Sequence, residues 1–157
     1  EDINARTGCV GCNLASKDTA LETLLVDPRW QYLQPLMGLR PLWAELKKPH
    51  NRLRKVKERT KSGKLATNQG RLGPLTMDAR RRALDQVLHI QEEINVGARA
   101  CGDPEYLLIN HEERYAIEQM IGANVWPQKW DGTEQTGDAP FEEMDSETGW
   151  IQGRLLA

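Results

Sequence analysis

The chain is 157 residues long, with 21 lysines and arginines against 23 aspartates and glutamates, a formal charge of −2, and 39% apolar residues. That length fits one ordinary domain, the near-neutral total favours no class of partner, and the low apolar share predicts a compact core flanked by solvated chain. Apolar runs of only a few residues, against the roughly 20 that cross a bilayer, and the lack of a signal peptide exclude a membrane span and predict a soluble, cytoplasmic protein. The sequence opens on Glu1-Asp2 instead of methionine, which reads as a piece of something longer.

First in chain order comes RTGCVGCNLA, residues 6–15, which sets Cys9 and Cys12 three apart with a glycine before each. Two thiolates at that spacing can hold one metal ion or sit on one iron cluster. A tight turn brings both sulfurs to the same side, and the glycines let the backbone curl. A structural zinc site needs two such pairs, or one pair with two histidines. This chain has one further cysteine, Cys101, and three isolated histidines, His50, His89 and His111. Any remaining ligands are therefore expected from Cys101, from upstream chain or from another subunit. A thioredoxin-like redox pair and two unliganded thiols are the alternatives, although no strand pattern precedes Cys9 as the redox motif requires. An odd number of cysteines suits a reducing compartment better than a disulfide-stapled domain.

The elements that follow read as helical, with no convincing alternation of period two. Ser16 or Asp18 caps a first helix reaching about Val26, with Ala20, Leu21, Leu24 and Leu25 as its stripe, before Asp27-Pro28 stops it. A short second helix carries Trp30, Leu33, Leu36 and Met37 around Pro35. A third carries Leu42, Trp43 and Leu46 and ends at Pro49. Residues 60–75, TKSGKLATNQGRLGPL, have the composition of a flexible basic loop. Thr76 then caps the strongest helix, with Met77, Leu84, Val87, Leu88, Gln91 and Ile94 at helical intervals and an end near Gly97. Cys101 falls in a Gly-Asp-Pro turn. Asn110 caps a last helix whose Tyr115, Ile117, Met120 and Ile121 are expected to face inward, with the Glu112-Glu113 pair in its first turn, where acids suit the helix dipole.

Charge separates into blocks. From Lys47 to Arg71 there are ten lysines and arginines against Glu58 alone, a net of +9, whereas Gln128 to Ala157 carries −5. The basic block reads either as a solvated face or as a surface that tracks a phosphate backbone. On the second reading the contacts are Arg52, Arg54, Lys55, Lys57, Arg59, Lys61, Lys64 and Arg71, and binding is salt-sensitive. No aromatic interleaves the block, so base stacking is not expected there. His89 reads as a core or boundary residue, His111 as a first-turn surface residue, and His50 as a neighbour of the basic block. Trp126, Trp130 and Trp150 are costly to leave bare, which points to docking on a further domain or a partner.

Taken in order, RTGCVGCNLA, LETLL, LMGLRPLWAEL with NRLRK, GRLGPLTMDARRRALDQVLHIQEEI and LINHEERYAIEQMI resemble the carboxy-terminal half of phosphoadenosine-phosphosulfate-reductase-like proteins. The nearest likeness is to the sulfurtransferases of DNA phosphorothioation (the DndC type), over roughly residues 5–126. The resemblance implies a mainly α region, the C-terminal part of a larger α/β protein whose ATP-handling PP-loop lies upstream. No SGGxDS sequence occurs in this chain, so the piece alone is expected to be inactive. The resemblance further implies that Cys9 and Cys12, with Cys101 as a weak candidate, hold a 4Fe-4S cluster, zinc being the alternative metal. As partners it implies DNA, a cysteine-desulfurase-type sulfur donor and other phosphorothioation proteins. The expected organisation is a small helical domain over residues 1–126, with a Cys-containing N-terminal loop, and a disordered acidic tail over 127–157. A reading from a different class is a non-catalytic helical module, with zinc or a metal-free CxxC, that binds nucleic acid through residues 47–71.

Overall fold

The computed structural model describes residues 17–55, 62–64 and 71–139, and the backbone of 142–144 and 151–153. The chain forms a mainly helical structure with a small open three-stranded sheet, divided into two compact units. One is drawn from Glu1–Lys47 and Met77–Val125, the other from Lys48–Thr76 and Trp126–Ala157. That division differs from one at residue 126 alone, because residues 48–76 go with the C-terminal segment.

The first unit contains α1 (Thr19–Leu24), a 3-10 helix (Pro28–Gly38), α2 (Leu39–Leu46), α3 (Met77–Cys101) and α4 (His111–Gly122). Its core is Leu21, Leu33, Leu36, Leu39, Val87, Ile90 and Ile94, closed at the sides by Trp30, Tyr32 and Trp43. Asp27 starts the 3-10 helix by accepting the Arg29 N–H at 2.9 Å. Pro28 and Pro35 lack the N–H groups that an α-helix would use, and the segment holds the tighter turn over 11 residues, longer than such turns usually run. Leu84, Val87, Ile90, Ile94 and Ala98 form the buried stripe of α3 at helical spacing.

Gly97 does not end that helix. The helix continues to Cys101, and Gly102 at φ +75° closes it, with the Asp103 N–H donating to the Ala98 carbonyl at 2.9 Å. Gly97 instead marks a close approach, since a Cβ there would lie 2.3 Å from Tyr32 Cβ. Gly97→Ala adds about 1 kcal/mol of helix propensity. It also drives a methyl into an atom that moves only with its own backbone, and such overpacking costs about 1–3 kcal/mol. The expected result is net destabilisation in urea titration; a raised midpoint would show that the two helices part freely.

Two polar residues on α3 stitch down the connection to α4. Asn95, buried, accepts the Tyr106 N–H at 2.7 Å and donates to its carbonyl at 3.0 Å. Gln91 Oε1 accepts the N–H groups of Leu108 and Ile109 at 2.7 and 3.0 Å. Nearby, the Tyr32 hydroxyl donates to Asp103 at 2.9 Å and lies 3.1 Å from that of Tyr106. Burial first, then these hydrogen bonds, push the Tyr32 phenol above its usual range, so it stays a protonated donor. The Asn110 cap forms as a full capping box, its side chain accepting from Glu113 N–H and the Glu113 carboxylate accepting from Asn110 N–H. The inward face expected of α4 is largely absent: Ile121 is buried, whereas Tyr115 and Met120 are 65% and 48% exposed.

The second unit holds the sheet, which the absence of period-two alternation hid. Strands β1 (Arg52–Arg54), β2 (Leu72–Leu75) and β3 (Gln135–Thr136) lie in the order β2-β1-β3, all antiparallel, with Arg54 opposite Leu72 on one side and Gln135 on the other. A separate hairpin pairs β4 (Glu142–Met144) with β5 (Ile151–Gly153). Pro74 sits in β2, an edge strand, where its missing N–H breaks no ladder. Thus part of the supposed loop 60–75 is a strand, and so is part of the supposed acidic tail. Within this unit the two charge blocks meet, acidic β3 segment against basic β1.

Candidate nucleic-acid interface

Arg52, Arg54 and Lys55 leave β1 in different directions. Arg54 is buried and turned inward, donating to the carbonyls of Gly137 at 3.1 Å and Ala139 at 2.7 Å. Its charge anchors the return of the chain after β3 and is not presented to an outside phosphate. Arg52 donates Nε to the Gly73 carbonyl at 2.6 Å, which fixes the guanidinium across β2 while leaving its terminal nitrogens for another acceptor. Lys55 donates to the Lys129 carbonyl, lies 3.9 Å from the Glu134 carboxylate and places its ammonium 4.8 Å from the centroid of Trp130. That ammonium is held by a carbonyl, an acid and an aromatic ring together.

Arg52 and Lys55, but not Arg54, border an open cleft of about 430 Å³. Arg52, Lys55 and Arg71 supply its charge; Pro74, Pro127 and Trp130 supply its apolar wall. Arg71 is exposed and takes no hydrogen bond or ion pair among the described residues. Trp130 is seated against Gly73, where a Cβ would come within 2.0 Å of the indole, so only glycine allows that ring beside β2. Trp126 packs in the same manner on Gly132, which has φ +88°. Both tryptophans are thus housed by this chain's own second unit.

Two acids of the second unit, Asp131 and Asp138, are held as carboxylates. Hydrogen bonds from the Thr133 hydroxyl at 2.6 Å and N–H at 2.9 Å hold the Asp131 carboxyl below its usual range, with the Lys55 charge assisting. A hydrogen bond from the Thr136 side chain does the same for Asp138, with help from His50 and Arg54. Both remain anions through ordinary pH.

Of the remaining expected phosphate contacts, Lys64 is exposed in the turn at 62–64, and Lys57, Arg59 and Lys61 lie outside the described residues. His89 is an exposed residue 3.6 Å from Glu93, not a core histidine, and His111 is on the surface as expected. Sequence reasoning missed Trp130 as part of this site. It stands far along the chain from the basic block, in a segment read as tail, and the only signal was the cost of leaving an indole bare.

The chain matches no protein-family model, no curated protein and no solved structure. Among the described residues, no group of three or more His, Cys, Asp or Glu is placed to hold a metal ion. Cys101 is a free, exposed thiol at the end of α3, and Cys9 and Cys12 lie outside the described residues. A cluster or a zinc ion needs several ligands converging within bonding distance. With no such convergence among the described residues and no matching family model, the reading as a reductase-like sulfurtransferase carrying a 4Fe-4S cluster or zinc is overturned. Two of the blocks that suggested it form ordinary elements: LMGLRPLWAEL runs through the end of the 3-10 helix and α2, and LGPL is β2. No helix among the described residues is long and apolar enough to cross a membrane.

Proposed function

We propose that the chain binds nucleic acid through the cleft of its second unit, with Arg52 and Arg71 as the phosphate contacts and Lys55 adding to the local potential. The observation that carries this reading is convergence: Arg52 of β1, Lys55 just after it and Arg71 just before β2 border one concave site with an aromatic wall. A merely solvated basic face would scatter them outward. Guanidinium groups suit the task because their planar fork matches two phosphate oxygens at once. Lys55, already held by Glu134 and the Lys129 carbonyl, sets the local potential, while Arg71 is the contact readiest to move onto a ligand. Lys57, Arg59, Lys61 and Lys64 extend the same charge along the sequence.

The test is fluorescence anisotropy of a labelled 20-nucleotide strand across a salt series. Binding that releases counterions weakens linearly on a log–log scale, with a slope near −0.7 per phosphate neutralised on a single strand. Arg71→Ala, at an exposed position with little effect on folding, is expected to weaken binding uniformly and reduce the slope by about 0.7–1. Affinity indifferent to salt, or an Arg71→Ala slope equal to the parent's, would rule the reading out.

A further inference from the structure

We infer that Glu134 stands in for a phosphate: it engages the Lys55 ammonium at the border of the cleft and withholds it from the strand, so that a carboxylate of the protein itself limits the affinity of the site. This rests on the nucleic-acid reading above and adds what restrains that binding. Lys55 follows directly on β1 and borders the cleft with Arg52 and Arg71, yet its ammonium already faces three groups of its own chain. It donates to the Lys129 carbonyl, lies 3.9 Å from Glu134 Oε1 and stands 4.8 Å from the centroid of Trp130. At 3.9 Å the carboxylate holds the ammonium by charge and not by a hydrogen bond. The two side chains are 27% and 15% exposed, so salt screens that attraction less than it would at an open surface.

Glu134 is itself held in place. Its other oxygen, Oε2, accepts the Gly132 N–H at 3.0 Å, and Gly132 sits at φ +88°, a turn geometry that glycine adopts without strain. The carboxylate is therefore ordered beside the lysine before any ligand arrives, whereas a phosphate on that ammonium would still have to be immobilised. Asp131 acts in the same sense: the Lys55 charge helps to hold its carboxyl low, so a second acid feels the same cation. The guanidinium groups are treated differently. Arg52 donates to a neutral acceptor, the Gly73 carbonyl, and Arg71 is exposed; among the described residues neither is paired with an acid. One cation of the three that border the cleft is thus neutralised from within, and removing Glu134 should release it.

The experiment measures binding of the labelled 20-nucleotide strand across the same salt series for the full chain, for Glu134→Gln, for Lys55→Gln and for the two changes together. Glutamine at 134 keeps an oxygen for the Gly132 N–H and removes the charge. Glu134→Gln is expected to bind about fivefold tighter, with a slope steeper by about 0.7, the mark of one more phosphate neutralised on a single strand. Lys55→Gln alone is expected to leave the slope of the parent unchanged, because the ammonium reaches no phosphate while Glu134 holds it. Added to Glu134→Gln, it should abolish both gains. Parent affinity and slope in Glu134→Gln overturn the inference, and so does an equal gain with and without Lys55, which would make Glu134 a general repulsive charge. A Lys55→Gln slope reduced as far as that of Arg71→Ala overturns it too, and that measurement needs no variant of Glu134 to fold. In each of these cases the salt dependence of the parent and the effect of Arg71→Ala still stand. Salt-insensitive binding of every protein removes the nucleic-acid reading itself and this inference with it.

Discussion

Arg40→Ala is expected to destabilise the first unit by about 3 kcal/mol, the lower part of the range for breaking a buried ion pair. Asp18 stands just before α1, where a carboxylate ordinarily caps the helix, yet its side chain makes no cap bond. It turns instead to α2 and takes Arg40 with both oxygens, Nε at 3.2 Å and Nη2 at 2.9 Å. Its side chain is 2% exposed against 28% for the arginine. Removing the guanidinium therefore leaves a dehydrated carboxylate without its bidentate partner, the costly half of a broken pair. The partial exposure of Arg40 keeps the loss below the upper limit. Urea titration followed by far-ultraviolet circular dichroism measures it, and an unchanged midpoint would show that water replaces the pair at no cost. Replacing both residues with apolar ones of similar size, Asp18→Leu with Arg40→Met, should recover part of the stability, because the two charges of the pair are then removed together.

Ile94→Ala should cost a similar amount, about 2–5 kcal/mol, with the upper half expected. Ile94 is fully buried in the cluster of Leu21, Leu33, Leu36, Leu39, Val87 and Ile90, the surface through which α3 meets the 3-10 helix. Truncation removes three carbons and leaves a cavity that a helix braced at Gly97 cannot close by sliding. For a unit of this size a 3 kcal/mol loss lowers the melting temperature by roughly 10–20 °C. Val96→Ala, two residues on but 56% exposed, is the control and should stay within about 0.5 kcal/mol of the parent. Equal effects from the two variants would mean that the buried stripe of α3 is not what holds the unit together.

The helices were legible because each is written in neighbouring residues. Pro28 and Pro49 stop what precedes them, Asn110 and Glu113 satisfy each other's backbone, and the α3 stripe repeats over six turns. Gln91 fell on that stripe by spacing, and the structure supplies the reason, since its side-chain oxygen receives two loop N–H groups. The reading failed where a residue's role depends on something distant. Gly97 looked like a helix end, but only the approach of Tyr32 explains it. Tyr115 and Met120 have the spacing of a buried face, and spacing alone does not provide anything to bury them against. Strands of two to four residues are too short for alternation to register.

By itself, then, the sequence determined the helical content, the position of most caps and stops, and a basic block followed at a distance by an acidic one. Each of these is set within one or two turns of chain, or by composition alone. Only the tertiary structure decided that Arg54 is an internal anchor while Arg52 and Arg71 border a cleft, and that Trp130 forms its wall. Antiparallel pairing of β1 with both β2 and β3 brings together residues from three separated stretches. Such pairing is held by backbone hydrogen bonds and by glycines that let rings approach, neither of which leaves a periodic trace in the order of the side chains.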